Sequence, residues 1–318
     1  MRVFRGFHHP DIAPACALTV GNFDGVHRGH QAMLALLNNE ARHRGVPSCV
    51  LTFEPHPRDF FAMKAGTPEK APARIATLRD KLSELERCGI EQVVVLRFDE
   101  GFAAQPPQAF MHDVLADGLH ARYVLVGDDF RFGARRAGDY AMLDAAGPQL
   151  GFDVARMQSY EVHGLRVSSS AVRLALAAGD MARAAALLGR PYSISGHVVH
   201  GRKLGRELGF RTLNLRFGHR LPAAAGIFVV RVHGLGRGPL AGVASLGVRP
   251  TVEDAGRVLL ETHCLEWPLD LDEGYGRVIR VELLHKLHDE RKYESLEALK
   301  AGIARDEADA RAWFRLAT

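Results

Sequence analysis

At 318 residues the chain is long enough for two ordinary domains. A hydrophobic share of 47% against 25% charged residues excludes a disordered or fibrous chain and allows a real core. The 41 basic and 37 acidic side chains leave a net charge of +4, too small a surplus to argue for nucleic acid and compatible with anionic small substrates.

The opening stretch MRVFRGFHHP has no apolar core of signal-peptide length, and no apolar run approaches the roughly 20 residues that span a bilayer. Both point to a cytoplasmic chain. CALTV (Cys16 to Val20) reads as a buried strand, and residues 29–44 as a helix with Met33, Leu34 and Leu37 on one side. SCVLTF (48–53), QVVVLRF (92–98) and ARYVLVG (121–127) are three further strands. Between them ARIATLRDKLSELERCG, ending at Gly89, and AFMHDVLADG read as helices. SSSAVRLALAAGD opens a later helix with serines able to cap it. Apolar strands separated by helices predict a parallel sheet covered on both faces, an α/β fold.

The pattern changes near Gly189, Arg190 and Pro191, which places a boundary between residues 1–188 and 189–318. Six β-rich stretches follow without intervening helices, from ISGHVVHG to RVIRVELLHKL, and predict a six-stranded antiparallel barrel. A last helix is expected with Ser295 as N-cap and an apolar stripe of Leu296, Leu299 and Ile303. Cys16, Cys49, Cys88 and Cys264 are too scattered for a zinc site and suit a reducing compartment.

GNFDGVHRGH (Gly21 to His30) lies between the first strand and its helix. Ligands of open α/β sheets bind at the carboxyl ends of strands. Gly21, Gly25 and Gly29 let backbone approach a ligand, and N–H groups at the helix start favour an anion. His27 and His30, one turn apart, can donate to phosphate oxygens as charge builds up in a transition state. The other reading is a pair of surface histidines in a glycine-rich loop.

GNFDGVHRGH resembles the H-x-G-H signature of the nucleotidyltransferase superfamily. VGDDFRFG (126–133) and VSSSAVR (167–173) follow in order, the latter similar to I-S-S-T-x-I-R, and TFEPHP (52–57) stands between. Together they resemble the FAD synthetase module of bacterial bifunctional riboflavin kinase/FMN adenylyltransferases. The resemblance implies that His27 and His30 contact ATP phosphates, and that Gly21, Asn22, Phe23, Asp24 and Gly25 line the nucleotide site. It implies that Ser168, Ser169 and Arg173 bind phosphate, against an ordinary serine cap and an exposed helix arginine. Phe130 and Phe132 stand as flavin contact or core. Asp128 and Asp129 stand as loop acids, one of which faces the ribose or the metal.

The second half opens with GHVVHGRKLGRELGFRTLNL (196–215), which is not a P-loop. A glycine loop with basic residues suits a polyphosphate. The stretch resembles the riboflavin kinase signature G-R-x-L-G-F-P-T-A-N, with Arg211 in place of proline and Leu213 in place of alanine. The resemblance implies ATP-phosphate binding by Gly201, Gly205, Arg206 and Gly209, and Mg²⁺ binding by Thr212 and Asn214. Two residues apart on a strand, those two side chains share a face; the alternative is a polar pair on the wet face of an edge strand. SLGVRPTVEDAGRVLLETHCLEW resembles the family run that carries a single acid, here Glu261. Its implied role is to accept the proton of the ribityl 5′-hydroxyl as a phosphoryl group moves, against a strand glutamate facing water. Arg291 is the implied flavin contact before the last helix.

The expectation is therefore an enzyme that phosphorylates riboflavin in the barrel and adenylylates FMN in the first domain. It would use ATP as co-substrate and Mg²⁺ as cofactor, without nucleic acid or membrane, as a monomer or weak self-associate. Two competitors are another nucleotidyltransferase with a passive barrel and an RNA-binding protein. Glu261 with Thr212 and Asn214 argues against the first, and the near-neutral charge against the second.

Overall fold

A computed structural model describes residues 1–158, 160–162, 165–200, 210–216, 221–248, 258–268 and 274–317. The chain forms two compact units, one of Met1–Pro72 with Lys81–Val167 and one of Ala73–Asp80 with Ser168–Thr318.

The first unit is built on β1 (Arg2–Arg5), β2 (Cys16–Val20), α1 (Arg28–Arg44), β3 (Ser48–Glu54), α2 (Pro57–Lys64), α3 (Leu78–Arg87, from Lys81 onward), β4 (Gln92–Arg97), α4 (Glu100–Ala104), α5 (Pro107–Ala109, continuing as a π-turn over Phe110–Ala116), β5 (Ala121–Gly127), α6 (Tyr140–Leu150) and β6 (Asp153–Met157). A short antiparallel pair, β7 (Glu161–Val162) with β8 (Leu165–Arg166), follows. The six main strands form one sheet in the order β1-β4-β3-β2-β5-β6, every pair parallel. All five residues of β2 are buried, as a central strand covered on both faces requires. Strand order reverses beside β2, so the loop at its carboxyl end lies at the switch point where α/β sheets bind ligands.

The sequence shows four of these strands. The two it hides are the sheet's edges: β1 buries only Phe4, and β6 has only exposed and half-buried residues. An edge strand lacks the continuous apolar run that marks a covered one. The helix expected from Ala73 begins instead at Leu78, because the Thr77 hydroxyl accepts the Asp80 N–H at 3.1 Å and sets the helix start there.

The second unit carries α7 (Ser169–Ala177), α8 (Met181–Leu188) and a closed antiparallel barrel. Its strands are β9 (Tyr192–Val199), β10 (Thr212–Arg216), β11 (Gly226–His233), β12 (Leu240–Val248), β13 (Val258–Cys264) and β14 (Val278–His288), in the spatial order β10-β13-β12-β11-β14-β9. Leu213, Leu215, Phe228, Val230, Leu246, Leu260 and Val281 fill the interior, each 1% exposed or less. Segment Ala73–Asp80 belongs to this unit: Asp80 accepts the Ser195 N–H at 3.3 Å, and Arg173 Nε donates to the Ala73 carbonyl at 2.7 Å.

The last helix is α9 (Leu296–Ala317), with Ser295 Oγ accepting the Ala298 N–H at 3.1 Å. Its inner face is Gly302, Asp306 and Ala310, flanked by half-buried Leu299 and Ile303. The expected stripe therefore begins one turn late, since Leu296 is 57% exposed. Asp306 Oδ1 meets His288 Nε2 at 2.7 Å, fastening the helix to β14. The four cysteines are free thiols; burial pushes Cys264 up to about 12.

Candidate active site

The loop after β2 is folded tightly. Phe23 (φ 48°), Gly25 (φ 84°) and Val26 (φ 40°) are left-handed, a conformation non-glycine residues adopt at a cost of about 1–3 kcal/mol each. Packing holds it: Phe23 is 2% exposed and Val26 fully buried. A Cβ at Gly21 would stand 3.0 Å from the Phe23 ring, so glycine permits that approach. Gly21 N–H is tied to the Leu51 carbonyl at 3.0 Å, and the Gln31 side-chain amide donates to the Val26 carbonyl at 2.8 Å.

His27 is the N-cap of α1, its Nδ1 accepting the His30 N–H at 3.3 Å. An accepting Nδ1 leaves the proton on Nε2, so His27 offers a donor. Its ring stacks on that of His30, centroids 3.6 Å apart and 14° from parallel, and Phe23 lies 4.9 Å from His30 on a tilted approach. Burial, then His27, then Lys81 push the His30 proton affinity well below the ordinary imidazole value. His30 Nδ1 and Asn22 Oδ1 are both shielded from solvent with no hydrogen-bond partner among the described residues. Buried polar atoms without partners are uncommon and call for an explanation, which a bound ligand can supply. Asp24 is 1% exposed beside them in sequence.

Two side chains that the sequence reading passed over complete this floor. Lys81 is fully buried, and its Nζ donates to Thr52 Oγ1 at 3.2 Å. Thr52 Oγ1 in turn donates to the Asn22 carbonyl at 3.3 Å. TFEPHP held half of that signal, in Thr52. Lys81 gave none, because a lysine on a helix among Arg79, Asp80 and Glu84 reads as solvated.

Beyond β4 a cleft of about 620 Å³ is lined by Phe7, Leu96, Arg97, Phe102, Gln105 and Pro106. A row of aromatic rings runs from it through Phe102, Phe110, Phe132 and Phe130, neighbours 5.4–6.1 Å apart. Phe132 is core at 6% exposed, and Phe130 is half-buried against it. Asp128 pairs with Arg166 at 3.6 Å, and Asp129 is exposed.

In the second unit Ser168 caps α7, its Oγ accepting the Ala171 N–H at 3.2 Å, and Ser169 is half-buried at the first helical position. Arg173, one turn on, spends its Nε on the Ala73 carbonyl.

On the barrel, β10 lies between β13 and β9, so it has no free edge and the wet edge-strand reading falls. Thr212 and Asn214 share the outer face, with Leu213 and Leu215 inside. Asn214 is 4% exposed, and its Oδ1 has no partner among the described residues. Directly across, in register, stands Glu261 on β13, half-buried, and His263 stands opposite Thr212. On the other side Glu261 faces Ser245 of β12, whose hydroxyl donates to Glu290 at 2.7 Å. Sequence reading missed Glu290, which reaches this face only because the chain returns after β14. Its neighbour Arg291 is exposed. His263 Nδ1 lies 2.8 Å from the Arg211 carbonyl, which can only accept, so that nitrogen carries the proton. The Arg211 guanidinium sits over the Trp267 ring, 5.5 Å from its centroid. Gly201, Gly205, Arg206 and Gly209 lie outside the described residues.

Among the described residues no three His, Cys, Asp or Glu side chains gather as metal ligands. The oxygens of Thr212 and Asn214 do fit Mg²⁺, a hard cation that takes one or two protein oxygens together with waters and substrate phosphates. The unpartnered Asn214 Oδ1 is the observation that favours it.

A family model described as FAD synthetase matches residues 9–171, and one described as riboflavin kinase matches residues 188–314. The bifunctional riboflavin kinase/FMN adenylyltransferase of Escherichia coli strain K12 is 48% identical over 318 residues, covering 99% of either chain. The protein of the same name from Pseudomonas fluorescens is 45% identical over 315 residues, covering 98% of this chain and 97% of its own. Among solved structures, one described as a macrolide-efflux protein from Streptococcus pneumoniae aligns with a TM-score of 0.78 at 28% identity, covering 98% of this chain and 99% of its own. Among the described residues here, no helix is long and apolar enough to cross a membrane. The chain belongs to the family of bifunctional riboflavin kinase/FMN adenylyltransferases.

Proposed function

We propose that the two activities are divided along the chain, with FMN adenylylation in residues 1–188 and riboflavin phosphorylation in residues 189–318. The chain converts riboflavin to FMN and FMN to FAD, consuming ATP in each step. A cytoplasmic location and a monomeric or weakly associating state are part of the same reading.

In the barrel the riboflavin 5′-hydroxyl attacks the γ-phosphorus of ATP. The bond to the β-bridging oxygen breaks, ADP leaves with the electron pair, and Glu261 takes the hydroxyl proton. Thr212 and Asn214 would hold Mg²⁺, which when bound neutralises phosphate charge. The facing pair Asn214 and Glu261 supports this assignment, since cross-strand register sets an amide oxygen beside a carboxylate. The basic loop of Gly201, Gly205, Arg206 and Gly209 would cover the triphosphate, and Arg291 would meet the flavin.

In the first domain an FMN phosphate oxygen attacks the α-phosphorus of a second ATP. The bond to the β-bridging oxygen breaks and pyrophosphate leaves with its electrons; no covalent enzyme intermediate forms. The left-handed loop from Gly21 to Gly25 cradles the triphosphate, and the His27 and His30 imidazoles donate to its oxygens as charge moves toward pyrophosphate. The unpartnered His30 Nδ1 carries this reading. Ser168, Ser169 and Arg173 are phosphate contacts in it, and Phe130 a flavin contact.

Incubation with riboflavin, ATP and Mg²⁺, followed by chromatography of the flavins, tests the assignment. His30→Ala should leave FMN accumulating, and Glu261→Ala should make no FMN while still converting supplied FMN. Persistent FAD in the first variant, or an unimpaired kinase in the second, would remove that residue's role.

A further inference from the structure

A buried ammonium is expensive unless it is hydrogen-bonded, and a methionine or leucine would fill the same space without that cost. Lys81 is nonetheless 0% exposed. Its position explains the charge. The ammonium donates to the Thr52 hydroxyl, and that hydroxyl donates to the carbonyl of Asn22, the residue after Gly21 in the strained loop. Three elements, α3, β3 and the loop after β2, are thereby joined through one cation.

We propose that Lys81 is a positioning residue of the adenylyl-transfer step: relayed by the Thr52 hydroxyl, its ammonium fixes the Asn22 carbonyl and hence the loop that presents His27 and His30 to the triphosphate. The inference rests on placing adenylyl transfer at that loop. The same charge has a second effect. After burial and His27, it opposes protonation of His30. The other charged group on this loop is the buried Asp24.

The test uses the full-length protein with Lys81→Met, Thr52→Val and His30→Ala. Three quantities are read: kcat and KM for FAD formation from FMN, riboflavin phosphorylation as a control of intact folding, and the His30 titration midpoint by NMR of histidine-labelled protein. Lys81→Met should lower the FAD-forming kcat by about tenfold or more, the scale of a misplaced reacting group, keep riboflavin phosphorylation near wild type, and raise the His30 midpoint. Thr52→Val should lower kcat in the same sense with a smaller movement of the midpoint, because the charge remains. An unchanged kcat and an unchanged midpoint in Lys81→Met would overturn the proposal. Should Lys81→Met lose both activities by failing to fold, Thr52→Val decides: a wild-type FAD rate there overturns the relay, and a lowered rate with the kinase intact supports it. His30→Ala separates the two levels of the argument. Full FAD synthesis in that variant would remove the site assignment itself, and the role of Lys81 with it.

Discussion

His27 Nδ1 accepts the His30 N–H at 3.3 Å, so one imidazole caps α1 and carries its own proton on Nε2, the nitrogen proposed to meet the triphosphate. The two duties separate by substitution. Asparagine is a good N-cap but lacks the far nitrogen. His27→Asn should keep thermal stability near wild type and lower the FAD-forming rate by about 10²–10³-fold, as loss of one oxyanion-type donor does. His27→Ala should show the same rate loss and a further destabilisation of about 1 kcal/mol. Melting curves alongside flavin chromatography decide it; equal stability of the two variants would deny the capping role.

His30 makes stability depend on pH. Its folded proton affinity lies well below the ordinary value of 6.5, so below that pH the unfolded chain binds a proton the folded one does not. Stability should therefore fall as pH drops through 6.5 toward the lowered folded value, by at most about 1.4 kcal/mol per pH unit from this group. His30→Gln should flatten that part of the curve. Urea titrations at pH 7, 6 and 5 provide the measurement, and parallel curves for the two proteins would refute the coupling.

Glu261→Gln keeps the size and half-buried setting of the side chain and removes its ability to take a proton. Riboflavin phosphorylation should fall by about 10²–10⁴-fold, the usual worth of a general base. Conversion of supplied FMN to FAD should be unchanged, and so should the melting temperature to within about 2 °C for a change of roughly 0.5 kcal/mol. A kinase that keeps its rate would move the base elsewhere, with Glu290 the next acid on that face.

What could be read in advance follows from how each element is buried. β2, β3, β4 and β5 announce themselves because their faces are covered, and Thr212 with Asn214 because a spacing of two fixes a shared face in any strand. β1 and β6 are hidden because an edge strand buries little, in β1 only Phe4. The histidines of the loop stand out by their spacing and their glycines, yet their stacking depends on left-handed Phe23 and Val26, which no local preference predicts. Lys81 and Glu290 are hidden for another reason. Each is a charged residue among charged neighbours, and only the tertiary return of the chain brings it beneath Thr52 or beside Ser245.

Arg211, where the resembling signature has proline, is held by contacts of its own. A proline there would fix the backbone before β10 by its ring. Here the fixing is external: His263 Nδ1–H holds the Arg211 carbonyl at 2.8 Å, and Trp267 underlies the guanidinium. An exposed cation–π contact contributes about 0.5–1 kcal/mol. A compatible proline returns about 0.4–1 kcal/mol by restricting the unfolded chain. The two nearly cancel, so Arg211→Pro should leave the melting temperature within a few degrees of wild type and the kinase active. His263→Leu removes the hold on the strand that carries Thr212 and Asn214, and should raise the kinase KM for ATP several-fold at fixed Mg²⁺. Combining the two changes should restore part of that loss, because the proline ring supplies internally what His263 supplied from the neighbouring strand. Steady-state kinetics of the two single variants and the double variant measure this coupling. Strictly additive effects would mean that His263 and residue 211 act on β10 independently.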